Sequence, residues 1–240
     1  MLPIILASIL LVAGAEATAD GAQQTAPDES ISLAELAREA EAIVLAQVRD
    51  TDYIYRRRFP AAGSAFLKVL IAYKLDKAVD MIEIHEQGLH PHECYFPNPS
   101  VFEEGRRYLL FLKKDQDSPH RYRGLAQGCA LEVLVDRNNH YVVRLPASGI
   151  HLSDPLNDLG RTFEFTDRHA LEDDETLPPQ QRNALLAAGW IERKGDHYVY
   201  TRGVQLSTVR ELMGNFGVAA RGVQKNVDQA SDPANPAVTH

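Results

Sequence analysis

The pattern of apolar positions near the start of the chain predicts one helix that leads directly into a strand. In SLAELAREA, apolar residues recur at the three- and four-residue spacing of a helix face. Ser30 or Ser32 can cap this helix, and Glu35 stands three residues after Ser32, which is the spacing of a capping box. The buried face would hold Leu33, Leu36, Ala37 and Ala40. The apolar run from Ile43 to Val48 then predicts a strand.

The middle of the chain predicts a meander of further strands. SAFLKVLIAYKL alternates with period two and would place Leu67, Val69, Ile71, Tyr73 and Leu75 on one face. VDMIEIHE predicts the next strand, and RYLLFLKKD is apolar on both faces, as in a central strand. In YRGLAQGCALEVLVD, a second alternating run would put Leu125, Cys129, Leu131, Val133 and Val135 together. Asn138-Asn139 predicts a tight turn before HYVVRL.

Beyond Pro146 the pattern changes to loops, short helices and one hairpin. QQRNALLAAGW predicts a helix, WIERKGDHYVYT a hairpin that turns at 194–196, and LSTVRELMGNF a helix that Ser207 would cap. Trp190, Tyr198 and Tyr200 would pack this region on the barrel. We therefore expect a mainly β protein: a barrel domain at 31–146, an α/β extension at 147–217 and a disordered tail at 218–240.

The first residues have the pattern of a cleaved export signal. MLPIILASILLVAGAEATAD contains an apolar run from Leu2 to Ala13, which is too short to span a bilayer. Small residues at 15, 17 and 19 then fit the rule for signal peptidase cleavage, although the segment lacks an early Lys or Arg. We predict a signal peptide at 1–19, a flexible lead-in at 20–30 and an exported protein, periplasmic or extracellular, with no membrane span after cleavage. The alternative is a buried helix or a membrane anchor.

Composition and charge narrow the class of partner. The 240 residues are 45% apolar and 24% charged, as in ordinary globular proteins with ample core. The formal net charge of −8 argues against general binding of nucleic acid, which needs an excess of Lys and Arg.

The order of motifs from Glu39 to about Leu145 resembles the netrin-like domains of bacterial exported proteins, relatives of the tissue inhibitors of metalloproteinases. The motifs that carry the resemblance are AEAIVLAQV, FLKVLIAYKL followed by IEI, FPNPSVFEEGRRYLLFL and YRGLAQGCALEVL. The third contains the turn and strand pattern of these domains at Pro99, Phe102 or Val101, Gly105, Tyr108, Leu109, Phe111 and Leu112. The resemblance implies an OB-like five-stranded barrel. It does not extend to protease inhibition, because the inhibitors chelate the protease zinc through an N-terminal cysteine and no cysteine precedes Cys94 here.

The two cysteines, Cys94 and Cys129, predict a disulfide. Two cysteines in an oxidising compartment pair more often than they react, and Cys129 lies in an apolar strand that would bury its sulfur. The alternative is a pair of buried free thiols.

The segment HEQGLHPHECYFPNP is the strongest candidate for metal chemistry. His85, His90, His92 and Cys94 supply imidazole and thiolate groups, which are the usual ligands of zinc and copper. A disulfide at Cys94 would remove the thiolate, and the spacing matches no recurrent zinc pattern. We therefore expect a polar loop tethered by the disulfide, with no cofactor, and keep a periplasmic metal-binding protein using the three histidines as the alternative.

Two other sets of residues have weaker patterns. Ser148, His151 and Asp154 are the residue types of a nucleophilic triad, but their closeness in one loop and the turn signal of Asp154-Pro155 favour a structural turn. Arg56-Arg57-Arg58 lies between aromatic residues, as in single-strand binding grooves, yet it also suits a solvated hairpin tip. The expected function is thus non-enzymatic binding of a protein, an envelope component or a small ligand through the barrel mouth, where OB-type folds carry their variable loops.

Overall fold

The structure is a computed structural model that describes residues 30–57, 59–86, 94, 102–118, 120–173 and 177–214. The predicted signal peptide, the lead-in before Ser30 and the predicted tail lie outside the described residues. His90 and His92 lie outside them as well.

Strands dominate the described residues. The helices are α1 (Leu33–Glu39), α2 (Leu156–Leu159), α3 (Pro179–Ala187) and α4 (Leu206–Met213), with a 3-10 turn at Arg168–Ala170. The strands are β1 (Ala42–Arg56), β2 (Phe59–Lys74), β3 (Met81–Glu86), β4 (Arg107–Lys114), β5 (Arg121–Gly124), β6 (Ala130–Val135), β7 (Tyr141–Arg144), β8 (Arg161–Thr162), β9 (Leu171–Asp173), β10 (Ile191–Lys194), β11 (His197–Tyr200) and β12 (Arg202–Gln205).

Helix α1 begins as its sequence predicts. The Ser32 hydroxyl accepts a hydrogen bond from the Glu35 amide at 3.2 Å, and the Glu35 carboxylate accepts one from the Ser32 amide at 3.1 Å. This reciprocal pair satisfies amide groups that have no partner within the first turn. The predicted capping box is confirmed.

Strands β1 to β5 close into a barrel. Their order is β1-β2-β3-β5-β4, and β4 pairs back with β1 along Ala42–Gln47. Strands β3 and β5 run parallel, whereas the other barrel pairs are antiparallel. The predicted fold class, mainly β with an OB-like five-stranded barrel, an N-terminal helix and an α/β extension, is confirmed.

Strands with two apolar faces join the barrel to a second core. Val44 and Ala46 of β1 face the barrel interior, while Ile43 and Leu45 face a core covered by α1 and α4. β4 divides in the same way, since Leu110 lies in the barrel and Leu109 lies under the helices. This is why the central segments lack polar alternation, as a strand buried on both faces requires.

The sheet continues past the barrel into the C-terminal extension. β4 also pairs with β6, and the order then runs β6-β7-β12-β8, while β10, β11 and β9 form a separate three-stranded sheet. Val204 of β12 lies opposite Val143 of β7. Tyr198 and Tyr200 are buried in a third core with Leu134 of β6, and Trp190 packs against it. These residues therefore pack on the sheet beside the barrel and not on the closed β1–β5 barrel itself. The predicted boundary at residue 146 stays a prediction.

The prediction of one shared face for the apolar residues of β2 is wrong for Ile71 and Tyr73, whereas Leu67, Val69 and Leu75 pack in the barrel core. Register shifts interrupt the pairing of β2 with β1. Ala46 and Leu45 are neighbours on β1, but their partners on β2, Val69 and Ile71, are two residues apart. Each shift adds a residue and changes which way the following side chains face. As a result, Tyr73 packs against the helix-covered core, and Ile71 is 37% exposed.

Two further expectations are corrected by local geometry. Cys129 packs in the barrel interior and not beside Leu131, because a turn with Gly128 at φ +107° precedes β6. Ser207 does not cap α4, since the helix already begins at Leu206 with Gln205 at its N-cap position. The hairpin of β10 and β11 turns at residues 195–196, as predicted.

The disulfide between Cys94 and Cys129 is confirmed. Their Cα atoms are 5.2 Å apart, and both residues are buried among barrel side chains. A Cβ at Gly124 would lie 2.8 Å from the Cys94 sulfur and 2.9 Å from its amide nitrogen. The glycine at the end of β5 therefore makes room for the bridge.

Candidate functional site

The histidine segment has only one histidine among the described residues. His85 lies on β3, half-buried, with its Nδ1 2.9 Å from the Ser64 hydroxyl, which also donates to Glu83 at 2.8 Å. Cys94 is bonded to Cys129 and is not a thiolate ligand. Within the described ranges, no group of three His, Cys, Asp or Glu side chains has the arrangement of a metal site. The metal-binding alternative stays a prediction.

The residues of the possible triad serve separate structural contacts. Ser148 accepts a hydrogen bond from Arg144 at 3.2 Å, and the Asp154 carboxylate accepts one from the Leu33 amide at 2.5 Å. The carbonyl of His151 accepts from Ile31 at 3.0 Å. The first bond joins the loop to β7 and the other two join it to the start of α1, as a structural turn would.

The basic segment lies at the far end of the β1–β2 hairpin. Arg56 is paired with Phe59 there, and Arg57 adopts a positive φ of 50° at the turn. Ile54 and Tyr55 are 61% and 58% exposed. Arg58 lies outside the described residues. The interpretation as a solvated hairpin tip agrees with this exposure.

A cleft between the barrel and α4 is the candidate binding site that the structure adds. This tyrosine cleft has a volume of about 700 Å³ and is walled by Ile71 and Tyr73 from β2, Tyr141 from β7 and Leu206 from α4. Both tyrosines pack on the helix-covered core. They therefore form a fixed apolar wall, which ligand sites use for contact area.

The rim of the tyrosine cleft carries hydrogen-bonding groups of both signs. Amides, a hydroxyl, an imidazole, a guanidinium and a carboxylate line it: Asn139, Gln205, Ser207, His140, Arg210 and Glu211. One cation and one anion balance each other, so the site has no strong preference for a charged ligand.

Asp136 fixes the turn that carries one side of this rim. Its Oδ1 accepts hydrogen bonds from the amides of Asn138 and His140, both at 2.8 Å, and its Oδ2 lies 3.4 Å from His140 Nδ1. Burial would raise the pKa of Asp136, but these bonds outweigh it and the pKa is lowered. Since Nδ1 faces Asp136, Nε2 is the ring nitrogen of His140 that this contact leaves for a ligand.

The hydroxyl of Tyr73 is a hydrogen-bonding group in the wall of the tyrosine cleft. Burial raises the pKa of its hydroxyl, and the positive charge of Arg210 opposes that rise. The phenol thus stays neutral at physiological pH and can both donate and accept a hydrogen bond.

A buried ionic network lies on the opposite side of β6 and β7. Glu132 bridges two guanidiniums: it contacts Arg106 Nη1 through Oε1 and accepts from Arg144 Nε at 2.7 Å through Oε2. Arg106 also donates to Glu103 at 2.6 Å. The Arg144 guanidinium lies 4.3 Å from the centre of the Tyr200 ring, which brings the network against the extension.

The pKa values of the two buried carboxyl groups near these arginines, Glu132 and Glu172, are shifted in opposite directions. Burial would raise the pKa of Glu132, but Arg144 and Arg106 outweigh it and lower the pKa below the usual range. Burial raises the pKa of Glu172 despite the same arginines, because its nearest cation contact, Arg106 Nη2, is 3.9 Å away. Glu132 is therefore ionised at neutral pH and held by direct bonds, whereas burial disfavours the charged form of Glu172.

The sequence contained partial signals for these sites. A charged residue within an apolar strand marks a buried partner, and Glu132 in ALEVLV and Arg144 in YVVRL are such residues. The Asn138-Asn139 turn next to His140 and Tyr141 marks one side of the tyrosine cleft. The register shifts in β2 that bring Tyr73 to it have no sequence signal.

Comparisons with known proteins add no relative: no family model, no curated protein and no solved structure matches the chain. Across the part of the chain that the structure describes, no helix is both long enough and apolar enough to be a membrane span.

Proposed function

We propose that this chain is an exported, non-enzymatic binding protein whose ligand occupies the tyrosine cleft. The single observation that carries the proposal is the combination of a fixed tyrosine wall with a charge-balanced rim in a cleft of about 700 Å³. The signal-like N-terminus and the disulfide between Cys94 and Cys129 support export. The barrel order and the disulfide also support a netrin-like domain.

The lining favours an uncharged polar ligand with one flat apolar face. Such a ligand would place that face on Tyr73 and Tyr141 and direct its hydroxyl or amide groups to the rim. A saccharide unit of the cell envelope has this chemistry. We therefore propose that the envelope component is a saccharide.

We expect soluble fragments of the envelope to bind at this cleft. Titration calorimetry with N-acetylglucosamine oligomers and with peptidoglycan fragments should give saturable binding for at least one of them. Tyr141→Ala removes part of the apolar wall, and the surface variant Arg210→Ala removes a hydrogen-bond donor from the rim. Each should weaken binding about tenfold, which corresponds to about 1.4 kcal/mol.

Tyr55→Ala is the matched control, because this exposed tyrosine lies at the far end of the β1–β2 hairpin. Circular dichroism should show that all variants fold. The proposal fails if neither saccharide class binds, or if binding is unchanged in Tyr141→Ala and Arg210→Ala.

A further inference from the structure

A second cleft differs from the tyrosine cleft because mainly polar and charged side chains line it. This polar cleft has a volume of about 350 Å³, with Gln47, Arg107 and Val135 of the sheet on one side and Thr166–His169 on the other. Its walls are thus built from β1, β4, β6 and the 3-10 turn of the extension. The space accommodates a small ion together with a few waters.

Asp167 holds Arg107 at the wall and is satisfied by it. The Asp167 side chain is 4% exposed, and its Oδ2 accepts from Arg107 Nη1 at 2.6 Å. Its Oδ1 accepts from the His169 amide at 3.1 Å. Both carboxylate oxygens have partners, so the carboxylate is neutralised and the guanidinium of Arg107 is fixed in place.

Arg168 supplies a second guanidinium whose charge is not matched. Its Nε donates to His169 Nε2 at 3.2 Å, and no carboxylate among the described residues lies within ion-pair distance of it. The side chain of Arg168 is exposed and lines the cleft. With two arginines against one aspartate, the lining carries one excess positive charge.

His169 is neutral and so does not change the excess positive charge of the cleft lining. Burial lowers its pKa, and the charges of Arg106 and Arg168 lower it further, against Asp167 and Glu132. The ring is therefore neutral at pH 7, and because its Nε2 accepts from Arg168, its proton resides on Nδ1.

Gly105 makes the space in which Arg168 and His169 lie. It adopts φ +86°, and a Cβ there would be 2.8 Å from Arg168 Nη2 and 3.0 Å from His169 Nε2. The positive φ favours glycine at this position, and any larger residue would also displace the ends of the Arg168 and His169 side chains. The glycine of the FEEGRRY turn is part of the cleft as well as of the fold.

We propose that the polar cleft binds a small oxyanion, a carboxylate or a phosphate group, between Arg168 and Arg107. Two guanidiniums line one small cleft, and each can donate two parallel hydrogen bonds to the oxygens of either group. Asp167 holds the Arg107 guanidinium in place before an anion binds. The site is separate from the tyrosine cleft, so its occupancy does not depend on the saccharide proposal.

The test is an NMR titration of the labelled protein with sodium phosphate and, separately, sodium acetate at constant ionic strength in chloride. We expect saturable shifts in the amides of 166–169 with a dissociation constant below about 10 mM for at least one anion, which corresponds to about 2.7 kcal/mol. The arm that saturates at lower concentration identifies the group. Binding should also raise the pKa of His169, followed through its ring carbon shifts, because the anion offsets the arginine charges.

Arg168→Gln should weaken the anion at least fivefold, and Arg168→Lys should retain part of the affinity. Arg38→Gln on α1 is the control, since that side chain is 71% exposed and lies on another element. The same spectra show whether each variant is folded. Equal affinity in Arg168→Gln, or linear shifts up to about 50 mM in the native protein, would overturn the proposal.

Discussion

Replacing Glu132 by glutamine is expected to lower the free energy of unfolding by about 3 to 5 kcal/mol, because the change leaves Arg106 and Arg144 buried without the anion between them. Both guanidiniums have side chains that are less than a tenth exposed, so water cannot replace the carboxylate. Chemical denaturation at pH 7 measures the loss.

Glu172→Gln is the matched control for this prediction. It makes the same chemical change in a carboxyl group of the same network, but one whose pKa burial raises, so its charged form is disfavoured in the folded protein. We expect its stability at pH 7 to equal or exceed that of the native protein. Equal losses in the two variants would contradict the assignment of Glu132 as the charged centre of the network.

The raised pKa of Glu172 also gives a pH dependence with a definite sign. A carboxyl whose folded-state pKa is raised contributes stability below its unfolded pKa and loses it as the pH rises through the folded value. The native protein should therefore lose stability relative to Glu172→Gln as the pH rises from about 4, the ordinary pKa of a glutamate, towards neutral. Denaturation curves of both proteins across this range would contradict the assignment if their difference were constant.

Loss of the disulfide is the second large effect. The double variant Cys94→Ala/Cys129→Ala should lose about 2 to 5 kcal/mol, since the bridge closes a separation of 35 residues and the chain-entropy relation gives about 4 kcal/mol for that length. Both sulfurs also pack in the barrel interior. The variant is expected to fold with a lower denaturation midpoint.

Adding a reductant distinguishes the stability that comes from the disulfide bond from the stability that comes from packing of the sulfur atoms. Adding it should destabilise the native protein and leave the double variant unchanged. A double variant within about 1 kcal/mol of the native protein would show that the bridge contributes little to stability.

The parts of the fold that could be predicted are those set by residues close together in the sequence. The capping box of Ser32 and Glu35, the two apolar faces of RYLLFLKKD and the Asn138-Asn139 turn each depend on residues close in sequence. The predicted five-stranded barrel is also present.

The sites were less predictable because they depend on pairing between distant segments. Tyr73 reaches the tyrosine cleft through register shifts against β1, and Arg107 meets Asp167 across 60 residues of chain. Ser148 and Asp154, which looked like reactive residue types, are instead held by Arg144 and the start of α1. Residue type alone does not tell which hydrogen bond a side chain will make.

The measurement that tests the proposed function most directly is an NMR map of saccharide binding on the labelled native protein. With peptidoglycan fragments or N-acetylglucosamine oligomers as the probe, we predict saturable shifts at Tyr73, His140, Tyr141 and Ser207, the residues that β2, the β6–β7 turn and α4 bring together. Saturable shifts confined to another face of the barrel, or none with either probe, would contradict it.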